Sequence, residues 1–173
     1  MNNLSIRTAT SDDANLLSVL STVTFYEAYF EDDDQKDIAA YIVNTYRSEQ
    51  LRSELEDENS TFLLAEIDEK AIGFAKLREN SMPECLKGEN TVELHRLYLM
   101  ERFQRRGIGR ALIEKSLAFA REKGYHSLWL GTWAENVRAQ KFYARLGFTK
   151  AGEFQYDYGS KIAVNYVLVK EVG

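Results

Sequence analysis

With 173 residues, 45% apolar and 12% aromatic, the chain carries enough apolar side chain for one buried core and is too short to house two full domains comfortably. A formal charge of −5 argues against nucleic acid as a partner and suits a cationic small molecule better. The single cysteine, Cys85, excludes an internal disulfide and fits a reducing cytoplasm, and with His95 and His126 it makes no metal-ligand set at a familiar spacing, so no metal is expected.

The opening Met-Asn-Asn-Leu-Ser-Ile-Arg lacks the basic region and apolar core of a signal peptide, and no apolar run approaches the ~20 residues that span a bilayer. No membrane association is therefore expected. Leu4 to Arg7 alternates as a short strand, and Thr10-Ser11-Asp12-Asp13 reads as a helix start capped by Thr10 or Ser11. The helix that follows carries Ala14, Leu17, Val19, Leu20, Val23, Phe25 and Tyr29 and ends in an unusually aromatic segment, Phe25-Tyr26-Glu27-Ala28-Tyr29-Phe30.

Four acids follow, Glu31 to Asp34, the last placed to cap a second helix with Ile38, Tyr41, Ile42 and Tyr46 at helical spacing. Ser48 to Glu56 adds a third helix through Leu51 and Leu55. Thr61–Ile67 and Ala71–Arg78 form an antiparallel hairpin about Asp68-Glu69-Lys70, with Gly73 as a candidate bulge. Glu79 to Asn90, with the only proline, Pro83, is read as a loop.

Thr91 to Leu99 is the next strand. It runs into a basic turn and then a helix over Gly107 to Lys123, with Ile108, Leu112, Ile113, Leu117, Phe119 and Ala120 on one half and Gly124 as its stop. Ser127–Gly131 is a strand, reached by a right-handed crossover if it pairs parallel with its predecessor. Asn136–Leu146 is a helix, and Phe148–Tyr156 with Lys161–Val169 closes the chain as a hairpin turned at Asp157 to Ser160. The pattern describes a single α/β domain over residues 1–173 with a mixed sheet.

The strand-to-helix junction Gln104-Arg105-Arg106-Gly107-Ile108-Gly109-Arg110 fits a phosphate. Backbone N–H groups at a helix start lack intrahelical partners and sit at the positive end of the helix dipole. Gly107 and Gly109 let the backbone approach an anion, and Arg105, Arg106 and Arg110 add charge. The alternative is a charged helix start with no ligand.

The same junction precedes a strand and then Asn136-x-x-Ala139-x-x-Phe142-Tyr143-x-x-x-Gly147-Phe148. In that order the motifs resemble the GNAT superfamily of acyl-CoA-dependent N-acetyltransferases, over essentially the whole chain from Ile6-Arg7-x-Ala9-Thr10 onward. The resemblance implies an α/β (α+β) fold, with a central mixed, mostly antiparallel twisted sheet of about seven strands flanked by helices. It also implies acetyl-CoA as cofactor, its pyrophosphate on the backbone from Gln104 and Arg105 to Arg110. Leu97, Tyr98 and Leu99 would pair with the pantetheine arm as a strand does, Asn136 would contact that arm, and Tyr143 would reach the sulfur.

Thr24-Phe25-Tyr26-x-x-Tyr29-Phe30, Glu93-Leu94-His95-Arg96-Leu97-Tyr98-Leu99 and Trp129-Leu130-Gly131-x-Trp133-x-x-Asn136 resemble the PAI-type spermidine/spermine acetyltransferases of bacteria. His95 stands where an acidic residue is expected in those relatives. A small-molecule amine, a polyamine above all, is thus the expected acceptor. The alternatives are a protein or peptide acceptor, or an acetyl-CoA-binding regulatory protein without turnover.

Acetyl transfer to a primary amine needs a base, because such an amine has a pKa near ~10.4. Glu93, eleven residues before Gln104, matches the base position of the histone-acetyltransferase members and would act through water, or else it is a salt-bridged strand carboxylate. His95 shares its strand face, as a proton relay or as a rim histidine. Tyr143 is the candidate acid for the departing thiolate, and strand N–H groups near Leu99 are candidate oxyanion donors. Tyr26, Glu27, Tyr29 and Phe30 are expected to hold the acceptor, with Asp32 to Asp34 a solvated helix start. Trp133, Tyr156 and Tyr158 either complete the pocket or pack on the sheet. A homodimer through the last hairpin is a further expectation.

Overall fold

The protein is described as a computed structural model covering residues 3–158 and 161–173. Seven strands form one mixed sheet in the order β1-β2-β3-β4-β5-β7-β6. They are β1 (Leu4–Thr8), β2 (Ser60–Ile67), β3 (Lys70–Arg78), β4 (Thr91–Leu99), β5 (Ser127–Trp133), β6 (Thr149–Tyr158) and β7 (Lys161–Glu171). The helices are α1 (Ala14–Tyr29), α2 (Gln35–Thr45), α3 (Ser48–Glu56), α4 (Ile108–Glu122) and α5 (Val137–Arg145). By packing, the chain divides into two compact units, one of Met1–Lys76 with Arg96–Lys115 and the other of Leu77–His95 with Ser116–Gly173.

In the first unit, β1 pairs antiparallel with β2 from Leu4 opposite Ile67 to Thr8 opposite Leu63. Thr10 precedes the 3-10 turn Ser11–Asp13 that leads into α1. Its N–H donates to Asp13 Oδ2 at 2.8 Å, and Arg7 grips the same carboxylate. That guanidinium, with the Thr10 bond, outweighs burial and holds Asp13 near a pKa of about 2. The acidic run ends as expected: Asp34 Oδ1 accepts the Lys36 N–H at 2.8 Å and caps α2.

Helix α1 buries Ala14, Leu17, Leu20, Ser21, Thr24 and Phe25. Val19, counted from the sequence with the apolar face, is 64% exposed. Ile38 and Tyr46 from the α2 region and Leu51 from α3 complete the helical side of the core, against Phe62, Leu64 and Phe74 of the strands. The β2–β3 turn is made by Asp68 and Glu69, both at positive φ (49° and 63°), the backbone of a two-residue hairpin whose twist matches the strands.

In the second unit, β4 pairs parallel with β5 over Thr91–Glu93 and Ser127–Trp129. β7 pairs antiparallel with β5, and β6 with β7. Strand β5 runs two residues past the expected Gly131, because Thr132 and Trp133 still pair with Tyr166 and Asn165. The hairpin turn residues Gly159 and Ser160 lie outside the described residues. A register shift falls between Lys150 and Gly152, which places a bulge in β6.

The Glu79–Asn90 segment, read as a plain loop, contains a 3-10 turn at Glu84–Leu86 that buries Leu86 with Trp129 and Val167. Trp129 Nε1 donates to Ser81 O at 2.9 Å, and Tyr125 Oη bonds Glu79 Oε2 at 2.6 Å, fastening the segment to the sheet. Gly152 is required there, since a Cβ would lie 2.7 Å from Cys85 Sγ.

Candidate active site

The basic junction of the first unit is built by a chain of backbone constraints. Strand β4 ends at Leu99, and Met100 N–H donates to Ile72 O at 3.0 Å. A 3-10 turn follows at Glu101–Phe103, and its first N–H donates to Glu27 Oε2 at 2.9 Å. Gln104 Nε2 donates back to Leu99 O at 3.4 Å. Arg105 (φ 62°) and Gly107 (φ 80°) then take left-handed conformations that reverse the chain into α4.

The bond from Ala111 N–H to Gly107 O (3.0 Å) opens the helix, so the N–H groups of Ile108, Gly109 and Arg110 have no acceptor within it. Arg105, Arg106 and Gly107 are exposed, and no atom lies within 4 Å of where a Gly107 Cβ would stand. Phe103 is a platform for two guanidinium groups, Arg102 at 4.9 Å and Arg106 at 5.4 Å from its ring centre. Arg110 is paired with Glu114 at 2.7 Å, which reduces the charge it offers. A pyrophosphate fits this donor set: open backbone amides, a helix dipole and two exposed arginines.

Leu97–Leu99 offers backbone, not the Tyr98 side chain. The Tyr98 ring packs 5.8 Å from Phe74 and 6.2 Å from Phe25, and burial raises its phenol pKa well above the ordinary value. Gly73 makes this possible. A Cβ there would stand 2.6 Å from Tyr98 O and 2.7 Å from Leu99 Cδ1. Gly73→Ala is therefore expected to push the Tyr98–Leu99 backbone out of place, destabilising the fold by about 1–3 kcal/mol and weakening acetyl-CoA binding. Thermal denaturation and calorimetric titration check both, and an unchanged acetyl-CoA affinity would detach this backbone from the cofactor.

The expected acceptor residues of this unit separate into two groups. Tyr26 (42% exposed) and Phe30 (51%) present an open aromatic pair with ring centres 5.6 Å apart. Tyr29 instead packs on Phe25 at 4.5 Å, and Glu27 is occupied by the Glu101 N–H.

Charged residues that sequence reasoning passed over lie in the same unit. Glu54 of α3 binds Lys76 Nζ (2.8 Å) and Arg96 NH1 (2.7 Å), both cations almost fully buried, and Arg96 lies 5.3 Å from the Tyr46 ring centre. Burial alone would raise the Glu54 pKa, but Arg96 and then Lys76 outweigh it and bring it to about 2. The available signal was a lysine, Lys76, inside the otherwise apolar run Ile72 to Leu77.

In the second unit, Glu93 is buried and ion-paired: its Oε2 receives Arg78 Nε at 2.7 Å, the salt-bridged alternative raised from the sequence. His95 is half-buried two residues further along β4. Trp133 is half-buried at the end of β5, and its carbonyl accepts the Asn136 N–H at 2.9 Å. Asn136 is the N-cap of α5, its Oδ1 accepting the Ala139 N–H at 2.9 Å, so the amide nitrogen is the part it can turn to a ligand. Tyr143 stands edge-on to Phe148 at 5.6 Å, and burial raises its phenol pKa.

Residues 22–148 match the model of the acetyltransferase (GNAT) family. An uncharacterized N-acetyltransferase of Lactobacillus delbrueckii subsp. lactis is 30% identical over 87% of this chain and 87% of its own. One from Mycobacterium tuberculosis is 31% identical over 92% of this chain and 98% of its own. A solved PaiA N-acetyltransferase from Thermoplasma acidophilum, in complex with coenzyme A, superposes with a TM-score of 0.80 at 24% identity, over 98% of this chain and 99% of that one. The chain belongs to the GNAT family of acetyltransferases. Its activity is that class of reaction, acetyl-CoA-dependent N-acetylation.

Proposed function

We propose that residues 1–173 act as one N-acetyltransferase domain whose acceptor is a primary amine of polyamine type, such as spermidine or spermine. The observation that carries the acceptor class is the exposed Tyr26–Phe30 pair at the end of α1, followed at once by the acids Glu31 to Asp34. Rings of this kind cover methylenes while carboxylates attract ammonium groups. The acidic balance of −5 favours the same sign of ligand.

Bound acetyl-CoA supplies an activated thioester, and the chain's residues do the rest. Backbone amides from Arg105 to Arg110 hold the pyrophosphate, Leu97–Leu99 orients the pantetheine arm, and Asn136 bonds it through its amide nitrogen. Glu93 takes the amine proton through water, with Arg78 fixing its Oε2. The amine nitrogen forms a bond to the carbonyl carbon, the carbon–sulfur bond breaks, and Tyr143 returns a proton to the thiolate. His95 and Trp133 border the acceptor. The exposed edge strand β6 is the surface through which a homodimer would pair, and a reducing cytoplasm suits the lone thiol of Cys85.

Coenzyme A release measured with spermidine, spermine and a set of peptides tests the acceptor class. The expected kcat/KM for spermidine exceeds that for any peptide by about tenfold or more, a gap of about 1.4 kcal/mol. A higher value for a peptide would reassign the enzyme to protein or peptide N-acetylation.

A further inference from the structure

The face of the sheet that carries Glu93 holds an amide the catalytic assignment does not use. In the second unit Glu93 is level with Trp129 and Val169, Gly131 with Val167, and Trp133 with Asn165, which is level in turn with Phe154. Because strand side chains alternate, Glu93, His95, Trp129, Gly131, Trp133, Asn165 and Phe154 project on one face. Gly131 leaves a gap there that two neighbours lean over. Asn165 Nδ2 and Phe154 Cζ each lie 3.2 Å from the place a Gly131 Cβ would occupy.

Asn165 sits in an otherwise apolar strand, Ala163-Val164-Asn165-Tyr166-Val167-Leu168-Val169, where asparagine is a poor strand former. Its Oδ1 is buried and accepts no hydrogen bond among the described residues. A buried amide oxygen left in that state costs stability, so a residue with no role there would be replaced by an apolar one at a gain. An amide oxygen accepts from N–H or O–H groups and repels carboxylates.

We infer that Asn165 is a specificity-determining residue for the acceptor, its Oδ1 receiving an N–H of the incoming amine beside the Phe154 and Trp133 rings. The inference rests on the amine-acetylation reading above and adds a residue from β7 to it. Only a donor satisfies the site, so acceptors able to present an N–H beyond the reacting one gain most from it.

The test is a pair of substitutions with two kinds of readout. Asn165→Leu removes the oxygen at similar volume and is expected to raise the KM for spermidine, or for the best acceptor of the panel, about tenfold or more. The KM for acetyl-CoA should stay unchanged and the Tm should hold or rise. Asn165→Asp keeps an acceptor oxygen and should restore most of the acceptor affinity. A purely structural asparagine would give the opposite pattern, a lowered Tm for Asn165→Leu with unchanged acceptor kinetics, and that result overturns the inference.

Binding is read without turnover from the Asn165 side-chain 15N–1H2 resonance, expected to shift when spermidine is added. A shift with no turnover of spermidine would sustain the assignment while removing the polyamine reading. Equal turnover of spermidine by wild type and Asn165→Leu would do the reverse.

Discussion

Tyr143→Phe is expected to lower kcat on the order of 100-fold or more while leaving the Kd for acetyl-CoA within about twofold, the range in which positioned general acids contribute. The phenolic hydroxyl is the only part removed, so the Phe148 and Phe142 contacts of the ring survive in the variant. Burial raises the Tyr143 pKa, which has two consequences. The group stays protonated across the physiological range and is always ready to donate. It is also a weaker acid than a free phenol near ~10, so transfer to a thiolate whose parent sits near ~8.5 is uphill unless the thiolate is desolvated too.

A thiolate formed in the same apolar surroundings would be raised by the same cause, and the transfer would then proceed. The pH profile should accordingly show no alkaline loss attributable to this phenol below pH ~10. Steady-state kinetics beside calorimetric titration of acetyl-CoA separate the two parameters, and unchanged turnover would remove Tyr143 from the acid role.

Glu54→Gln is expected to be the most destabilising single change, by about 3–5 kcal/mol near neutral pH, because it leaves Lys76 and Arg96 buried without the carboxylate they share. The pH dependence carries the sign. The folded Glu54 pKa of about 2 lies below its ordinary value of 4.5. Its stabilisation is therefore fully present above pH ~4.5 and is lost as pH falls toward ~2. Denaturant unfolding at pH 7 and near pH 3 should show the gap between wild type and Glu54→Gln narrowing in acid. A constant gap would mean that packing of the side chain, not its charge, is what matters. Arg96 lies on β4 just ahead of Leu97–Leu99, so this network also braces the strand assigned to the pantetheine.

Features set by neighbours in sequence were legible before any coordinates. The basic turn is one: Arg105 and Gly107 at positive φ, followed by a helix start, are a local consequence of Gln104 to Arg110. The Asp34 cap and the Asp68–Glu69 hairpin are others. What stayed hidden depends on partners far apart in the chain. Glu54 meets Lys76 and Arg96 across 22 and 42 residues, and no local pattern pairs them.

Gly73 was a candidate bulge, one of two common causes of a glycine in a strand, and only the nearness of Tyr98 O shows the other, a close backbone approach. Glu27, expected to hold the acceptor, also accepts the Glu101 N–H through its Oε2, a partner 74 residues away that no local pattern shows. Asn165 carried a weak signal, one polar residue in an apolar strand, whose meaning needed the gap over Gly131.

Acetyl transfer to an amine is read out by free-thiol release from acetyl-CoA, followed with and without spermidine. The expected release depends on the amine and matches acetylated amine mole for mole. Binding of acetyl-CoA with no release in the presence of any amine or peptide would contradict it and mark the protein as a sensor of the cofactor.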